Sequence, residues 1–372
     1  MIYTGYTMKI PFTDLPAQNA ECRADIDAAI KDYIDRASFI TGPDVEQFER
    51  IIADYLQAED CAATGSGTTA LQVALLSCGI GKGDEVISTS HTFVSTPEAI
   101  INVGATPVMV DVDEYYNMDI ELIEEAITER TRAILYVSIY GQTPDVDRFR
   151  ALADKYNLWL IEDGAHSFGT EYRGRRVGSL ADLTCISFNP VKNLGAMGDA
   201  GCVTGSPELI EKCKMYRNHG RNTKFVFEDI GYNARIDNIQ CAVVEAKLPY
   251  FDGWLAGKTR VCERYNELLD GVVQTPKVAP WTTRHGWYVY VIEVDNRESL
   301  RDFLKERGIG TNIHYPIPNH QQPSFLPYFG DKPLPRLEKA AKRILSLPCY
   351  HTLTEAQQDY IVDCIKEWKA TQ

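Results

Sequence analysis

The sequence predicts an α/β fold: a mainly parallel sheet covered by helices on both faces, followed by a smaller C-terminal α/β domain. Alternation is the first observation behind this. Short apolar runs, EVIST, TPVMVDV, AILYVSIY, LWLIED, LTCISF and GCVTG, take turns with helix-like patterns, STPEAIINVG, IELIEEAIT, DVDRFRALADKYN and SPELIEKCKMYR. Strands joined through helices run parallel, with the helices packed on the sheet faces. The second observation is a change of pattern around Ser206. After Asp237 the long helical stretch NIQCAVVEAKLPYFDGWLAGKTRVCERYNELL leads to strand-like YVYVIEV, helix-like SLRDFLKERG and a final helix EAQQDYIVDCIKEW. The third is length, since 372 residues suffice for a large core and two domains. The expected division is residues 1–236, with an N-terminal helical segment, and residues 237–372, entered through the long helix.

In chain order, MIYTGYTMKIPF lacks the sustained apolar core of a signal peptide, and Met8 offers an alternative start to Met1. Two helix-like stretches follow, ECRADIDAAIKDYIDRA and DVEQFERIIADYLQA, separated by SFITGP with its Gly-Pro break. The basic run in EYRGRRVG flanks a glycine and reads as a hairpin tip. Lys and Arg number 38 against 52 Asp and Glu, a net charge of −14, so nucleic acid and anionic membranes are not expected partners. No run of eighteen or more apolar residues occurs. The ten cysteines form no CxxC pair or metal-like spacing and read as reduced thiols, which with the rest predicts a soluble, cytoplasmic protein without a metal.

The chemistry gathers around LTCISFNPVKNLGAMGDAGCV, where Lys192 sits between two apolar strands in a Gly-rich turn. Taken alone it reads as a loop lysine on the surface. Burial in such a turn disfavours the charged amine and makes it nucleophilic, as a Schiff-base lysine requires. Upstream, LWLIEDGAHSFG ends a strand in Asp163, at the strand ends where open α/β sheets bind ligands; a helix N-cap is its other reading. Further upstream, CAATGSGTTALQVALL places Gly65-Ser66-Gly67-Thr68 between a short strand and a helix, a turn type that binds phosphate or merely turns. A phosphate cradle, a carboxylate and a lysine in this order point to pyridoxal phosphate. The lysine bonds the aldehyde carbon, and the carboxylate keeps the ring nitrogen protonated so that the ring draws electrons.

With these residues in view, the chain resembles the sugar aminotransferases of the DegT/StrS family, pyridoxal-phosphate enzymes of the fold type I class. GSGTTALQVAL, GDEVISTSHTFVSTPEAI, GATPVMVDVD, EDGAHSFGTEYRGRRVGSLADL, SFNPVKNLGAMGDAG, GYNARIDNIQCAVVEAKL and IHYPIPNHQQPSF are similar to family segments, in family order, over almost the whole chain. The resemblance implies that Lys192 carries the cofactor and shuttles a proton, and that Asp163 pairs with its ring nitrogen. It further implies that Gly67, Thr68 and Ser187 hold the phosphate and that Phe93, otherwise a core phenylalanine, stacks on the ring. His166 stands where many relatives carry glutamine near the phenolic oxygen; either ring nitrogen can donate that hydrogen bond. Asn233 matches an asparagine that reaches the cofactor phosphate of the neighbouring subunit, which implies a homodimer with shared sites.

On the substrate side, Arg217 and Arg221 in RNHGR, and His320 in HYPIPNH, resemble loops that approach the sugar or its diphosphate; His320 is the preferred contact of its loop, with His314 and Tyr315 as readily structural. His314 and His320 lack a third metal-ligand type nearby, so a metal reading fails. The implied reaction moves an amino group from L-glutamate, or glutamine, to a keto group of a nucleotide-linked deoxysugar. KNLGAMGDAG resembles the branch that acts at C-3. A cyclitol ketone or other non-nucleotide sugar is the alternative acceptor. Dehydratases of the family replace the lysine by histidine, and Lys192 argues against that chemistry. Lys192, Asp163 and Ser187 together argue against a non-catalytic regulatory protein.

Overall fold

Seven strands build the central sheet of the computed structural model, which describes residues 8–330 and 332–372. Residues 1–7, on which the choice between Met1 and Met8 turns, lie outside the described residues. The strands stand in the order Asp60–Thr64, Gly201–Gly205, Leu183–Ser187, Trp159–Asp163, Thr131–Val137, Glu85–Thr89 and Thr106–Val110. Only Gly201–Gly205 runs against the rest. The mainly parallel sheet expected from alternation is therefore present, and its exception has a simple cause. No helix separates Leu183–Ser187 from Gly201–Gly205, so the chain returns directly and the two strands pair antiparallel. The turn between them carries Lys192. Strands Glu85–Thr89 and Leu183–Ser187 are buried at every residue, which explains their continuous apolar character.

The helices cover both sheet faces largely where periodicity predicts. IELIEEAIT departs from the expectation of a helix and forms two 3₁₀ turns, Ile120–Leu122 and Glu124–Ala126. Asp119 caps the first turn through the Glu121 N–H, but Ile127 is already extended, leaving too few residues to repay helix nucleation. A helix not expected, Leu15–Glu21, precedes Arg23–Asp35, started by Asp14 and a proline in its first turn. EYRGRRVG forms the expected hairpin, Glu171–Tyr172 with Arg175–Arg176. Among the described residues no helix is long and apolar enough to cross a membrane.

The 32-residue helix Asn238–Leu269 serves two cores. Its first half packs Val244, Phe251 and Trp254 against Ile26, Phe48 and Ile52 of the N-terminal helices. Its second half carries Val261, Tyr265 and Leu269 into a core with Tyr290, Leu300, Ile361 and Trp368. That core is built on the antiparallel pair Tyr290–Glu293 and Ile344–Leu347 and helices Arg297–Glu306 and Glu355–Ala370. Ile10 and Tyr140 join it from earlier in the chain.

Strand Asp60–Thr64 is an edge of the sheet, where unpaired backbone groups are a liability. Ala63 donates its N–H to Glu49 at 2.9 Å, and its carbonyl accepts from Arg217 at 2.5 Å. Arg217 also pairs directly with Glu49, whose side chain is 5% exposed. The pair thus blunts the edge while ties run to helices Pro43–Leu56 and Pro207–Tyr216. Removing one partner of a buried pair leaves the other uncompensated. Arg217→Ala is expected to cost about 3 kcal/mol, at the low end of such losses, because Lys214 stays 3.8 Å from Glu49. Urea unfolding monitored by circular dichroism measures this, and an unchanged midpoint would remove the clamp.

Candidate active site

The C-terminal ends of the parallel strands open on a cleft of about 450 Å³, the place where open α/β sheets bind ligands. Lys192 enters it from the turn between the last two strands of the chain's sheet. That turn is fastened from within: Phe188 N–H donates to the Ala200 carbonyl at 2.8 Å, Ala196 N–H to Phe188 at 2.7 Å, and Lys192 N–H to Asn189 at 2.9 Å. Gly195 permits the fold, since a Cβ there would lie 2.5 Å from the Pro190 carbonyl oxygen. The long helix fastens it from outside. Lys247 donates to the Gly195 carbonyl at 2.8 Å, and Gln240 accepts from the Met197 N–H at 2.9 Å. Burial pushes the Lys192 amine down to about 8, and the Asp163 charge opposes a further fall. Its Nζ lies 4.5 Å from the centre of the Tyr288 ring.

Asp163 ends strand Trp159–Asp163 and faces the same cleft. Its Oδ2 accepts from Thr96 Oγ1 at 2.6 Å and its Oδ1 from the Ala165 N–H at 3.1 Å. Burial pushes its carboxyl up, and these two donors and Lys192 pull the other way.

At the other end of the cleft, helix Gly67–Ser77 starts with a reciprocal cap. Thr69 N–H donates to Ser66 Oγ and Ser66 N–H to Thr69 Oγ1, each at 3.1 Å. Gly67 and Thr68 begin the helix, so their N–H groups have no carbonyl one turn earlier within it. Ser187 closes the cradle: a Cβ on Gly67 would meet the Ser187 Cβ at 2.7 Å. The approach is close enough that only glycine fits. Bare N–H groups at a helix start, a serine hydroxyl, a carboxylate and a depressed amine around one cleft fit a pyridine aldehyde phosphate.

Of the residues named from sequence, Gly67, Thr68, Phe93, Asp163, Ser187 and Lys192 line this cleft. Phe93, 54% exposed, stands 6.1 Å from Tyr315. His166 lies behind the wall, stacked on Tyr288 with ring centres 3.9 Å apart. Its Nδ1 accepts from the Tyr140 N–H at 3.4 Å, and burial holds it well below the usual histidine range, hence neutral with its proton on Nε2. Asn233 is exposed, bridged to Asn218, and not in its own chain's cleft.

None of the substrate residues Arg217, Arg221 and His320 lines its own chain's cleft. Arg217 is not at the cleft, because its guanidinium is taken by Glu49 and the Ala63 carbonyl. Arg221 lines a separate pocket of about 240 Å³ with Lys214, Arg235 and Arg217 itself. His320 is buried away from the cleft, with Nδ1 2.8 Å from Ser90 Oγ and Nε2 3.2 Å from Glu338. From the same loop it is His314 and Tyr315 that line the cleft, together with Tyr288. Ser95 and Thr96 are the other residues not anticipated; the signal for them is two hydroxyls in the first turn of a helix that follows Phe93.

The profile of the DegT/DnrJ/EryC1/StrS aminotransferase family matches residues 20–366. The chain is 40% identical over 370 residues to a dTDP-3-amino-3,4,6-trideoxy-alpha-D-glucose transaminase of Streptomyces venezuelae, covering 97% of each. Its fold superposes with a TM-score of 0.95 on the structure of S. venezuelae DesV in complex with a ketimine intermediate, at 40% identity over 98% of this chain and 99% of that one. The structure of NtdA from Bacillus subtilis with bound cofactor PMP gives 0.91 at 30% identity over 100% and 87%.

Borohydride reduction after incubation with pyridoxal phosphate should fix the label on Lys192, read by peptide mass spectrometry. A label confined to Lys258, which donates to the Asn193 side chain, or to Lys247, which donates to the Gly195 carbonyl, would remove Lys192 from the chemistry.

Proposed function

This chain belongs to the DegT/DnrJ/EryC1/StrS aminotransferase family, and from that premise we propose that it moves an amino group from L-glutamate to the C-3 keto group of a nucleotide-linked deoxysugar. The observation that carries the reading is Lys192, with its amine depressed to about 8, facing Asp163 across the same cleft as the Gly67-Thr68-Ser187 cradle. Pyridoxal phosphate, when bound, supplies an electron-withdrawing ring that accepts and returns the amino group. The nucleotide-linked acceptor and the C-3 position are supported by the printed activity of the Streptomyces relative and by KNLGAMGDAG.

Each residue then has a task. Gly67, Thr68 and Ser187 hold the phosphate through N–H and hydroxyl groups. Asp163, whose ionised form Thr96 and Ala165 favour against burial, would pair with the ring nitrogen and hold its proton. Lys192, whose proton affinity lies near the working range, takes the proton from the donor's α-carbon. Phe93 covers the ring face. His166, stacked on Tyr288, has its Nε2–H left as the donor that would serve the phenolic oxygen. We assign residues 1–236 to the cofactor domain and 237–372 to the small domain, and place the enzyme in the cytoplasm as a homodimer. Asn233 serves the partner's site, and because Asn218 and Asn233 are bridged, segment 217–221 is carried beside it. Arg221, rather than Arg217, is then the cation for the diphosphate.

Two outcomes test this. Lys192→Ala and Asn233→Ala proteins, each inactive alone, should regain up to about a quarter of the activity on mixing, because some mixed dimers hold one intact site. Absence of complementation despite demonstrated subunit exchange puts Asn233 in its own chain. Second, a free 3-keto sugar should react with kcat/KM at least about a hundredfold below its nucleotide-linked form. Arg221→Ala should lower kcat/KM for the nucleotide sugar and leave the free sugar unchanged. Equal rates for free sugars or cyclitol ketones would replace the nucleotide-sugar reading by the cyclitol alternative.

A further inference from the structure

The two ends of the cofactor site are tied to consecutive residues of one short helix, Ser95–Asn102. Ser95 Oγ lies 2.7 Å from Thr68 Oγ1, at the phosphate cradle, and Ser95 itself lines the cleft. Thr96, fully buried, donates to Asp163 at 2.6 Å. Successive residues of a helix point about 100° apart, so one turn addresses both ends at once. The helix has no side-chain cap of its own, which leaves these hydroxyls free for the site.

The hydrogen-bond count fixes a direction. A threonine hydroxyl has one proton, and Thr96 gives it to Asp163, so Thr92 Oγ1, 2.7 Å away, must donate to Thr96. The turn that carries Thr92 is held in turn by the C-terminal loop. Asn319 donates to the Thr92 carbonyl at 2.9 Å, and the His320 N–H donates to Ser90 Oγ at 2.8 Å. Placed away from the cleft, His320 thus steadies the turn that leads to Ser95 and Thr96.

We propose that Ser95 and Thr96 are positioning residues that separately set the two ends of the cofactor site: Ser95 aligns Thr68 for the phosphate, and Thr96, fed by Thr92, aligns Asp163 and keeps it ionised for the ring nitrogen. The inference rests on the pyridoxal phosphate reading, and its test separates the two. Apo variants are titrated with pyridoxal phosphate and with pyridoxal, which lacks the phosphate, and the absorption of the bound ring is followed against pH. Ser95→Ala is expected to weaken pyridoxal phosphate about tenfold and to leave pyridoxal unchanged. Thr96→Val is expected to weaken both ligands alike, about ten- to a hundredfold, because a hydrogen bond to a charged group is lost. It should also bring the ring's protonation change to lower pH, since an Asp163 that binds its own proton no longer holds that of the ring. Thr96→Ser, which keeps the hydroxyl, restores both readouts. Should Thr96→Val fail to fold, Thr92→Val gives the same spectral shift in smaller measure. Equal loss of both ligands in Ser95→Ala, or an unmoved pH profile in the threonine variants, overturns the assignment. A wild-type protein that takes up neither ligand overturns the cofactor reading itself.

Discussion

A lysine amine withdrawn from water opposite a buried carboxylate is the constraint on which the rest depends. Burial alone penalises both charges, pushing Lys192 down and Asp163 up. Either group left to itself is driven toward its neutral form. Facing each other across the cleft, they offset part of that cost, and Thr96 and Ala165 supply the donors that favour the carboxylate. Lys192 is thereby poised near neutrality, where an amine can both attack a carbonyl and exchange a proton.

Holding these two groups in place uses much of the chain. Asp163 is fixed by a parallel strand buried in the sheet, Lys192 by a turn clamped between Gly195 and the long helix. The one antiparallel strand follows from this, since the turn must return directly for Gly201 to press on the start of helix Gly67–Ser77. The chain beyond the long helix contributes the opposite wall through Tyr288, His314 and Tyr315. Tyr140 joins the two parts: its hydroxyl donates to the His314 carbonyl and lies 2.7 Å from His91 Nε2, and its own carbonyl accepts from the Tyr288 N–H at 2.9 Å.

The sheet was legible because its strands are buried on both faces and read as continuous apolar runs, and the residues that line the cleft because they occur in short motifs at strand ends. What escaped was contact between distant segments. Thr96 sits in a stretch that reads simply as helix, and its partner Asp163 comes 67 residues later. Arg217, at the head of RNHGR, reads as an anion ligand, whereas its partner Glu49 lies 168 residues away in an unremarkable amphipathic helix. In HYPIPNH no periodicity tells which side chains face the cleft, and nothing local separates His320 from His314 and Tyr315. The short IELIEEAIT has a helical pattern, but pattern alone does not show that Ile127 turns extended.

The central claim is that burial lowers the Lys192 amine while Asp163 holds it up. The direct measurement is the protonation of that amine in the apo protein, from the pH dependence of its acylation followed by mass spectrometry, in wild type and in Asp163→Asn. A midpoint of about 8 is expected in wild type and a lower one in the variant, where the opposing charge is gone. A midpoint near the ordinary lysine value of 10.5, or one that rises when Asp163 is neutralised, would contradict it.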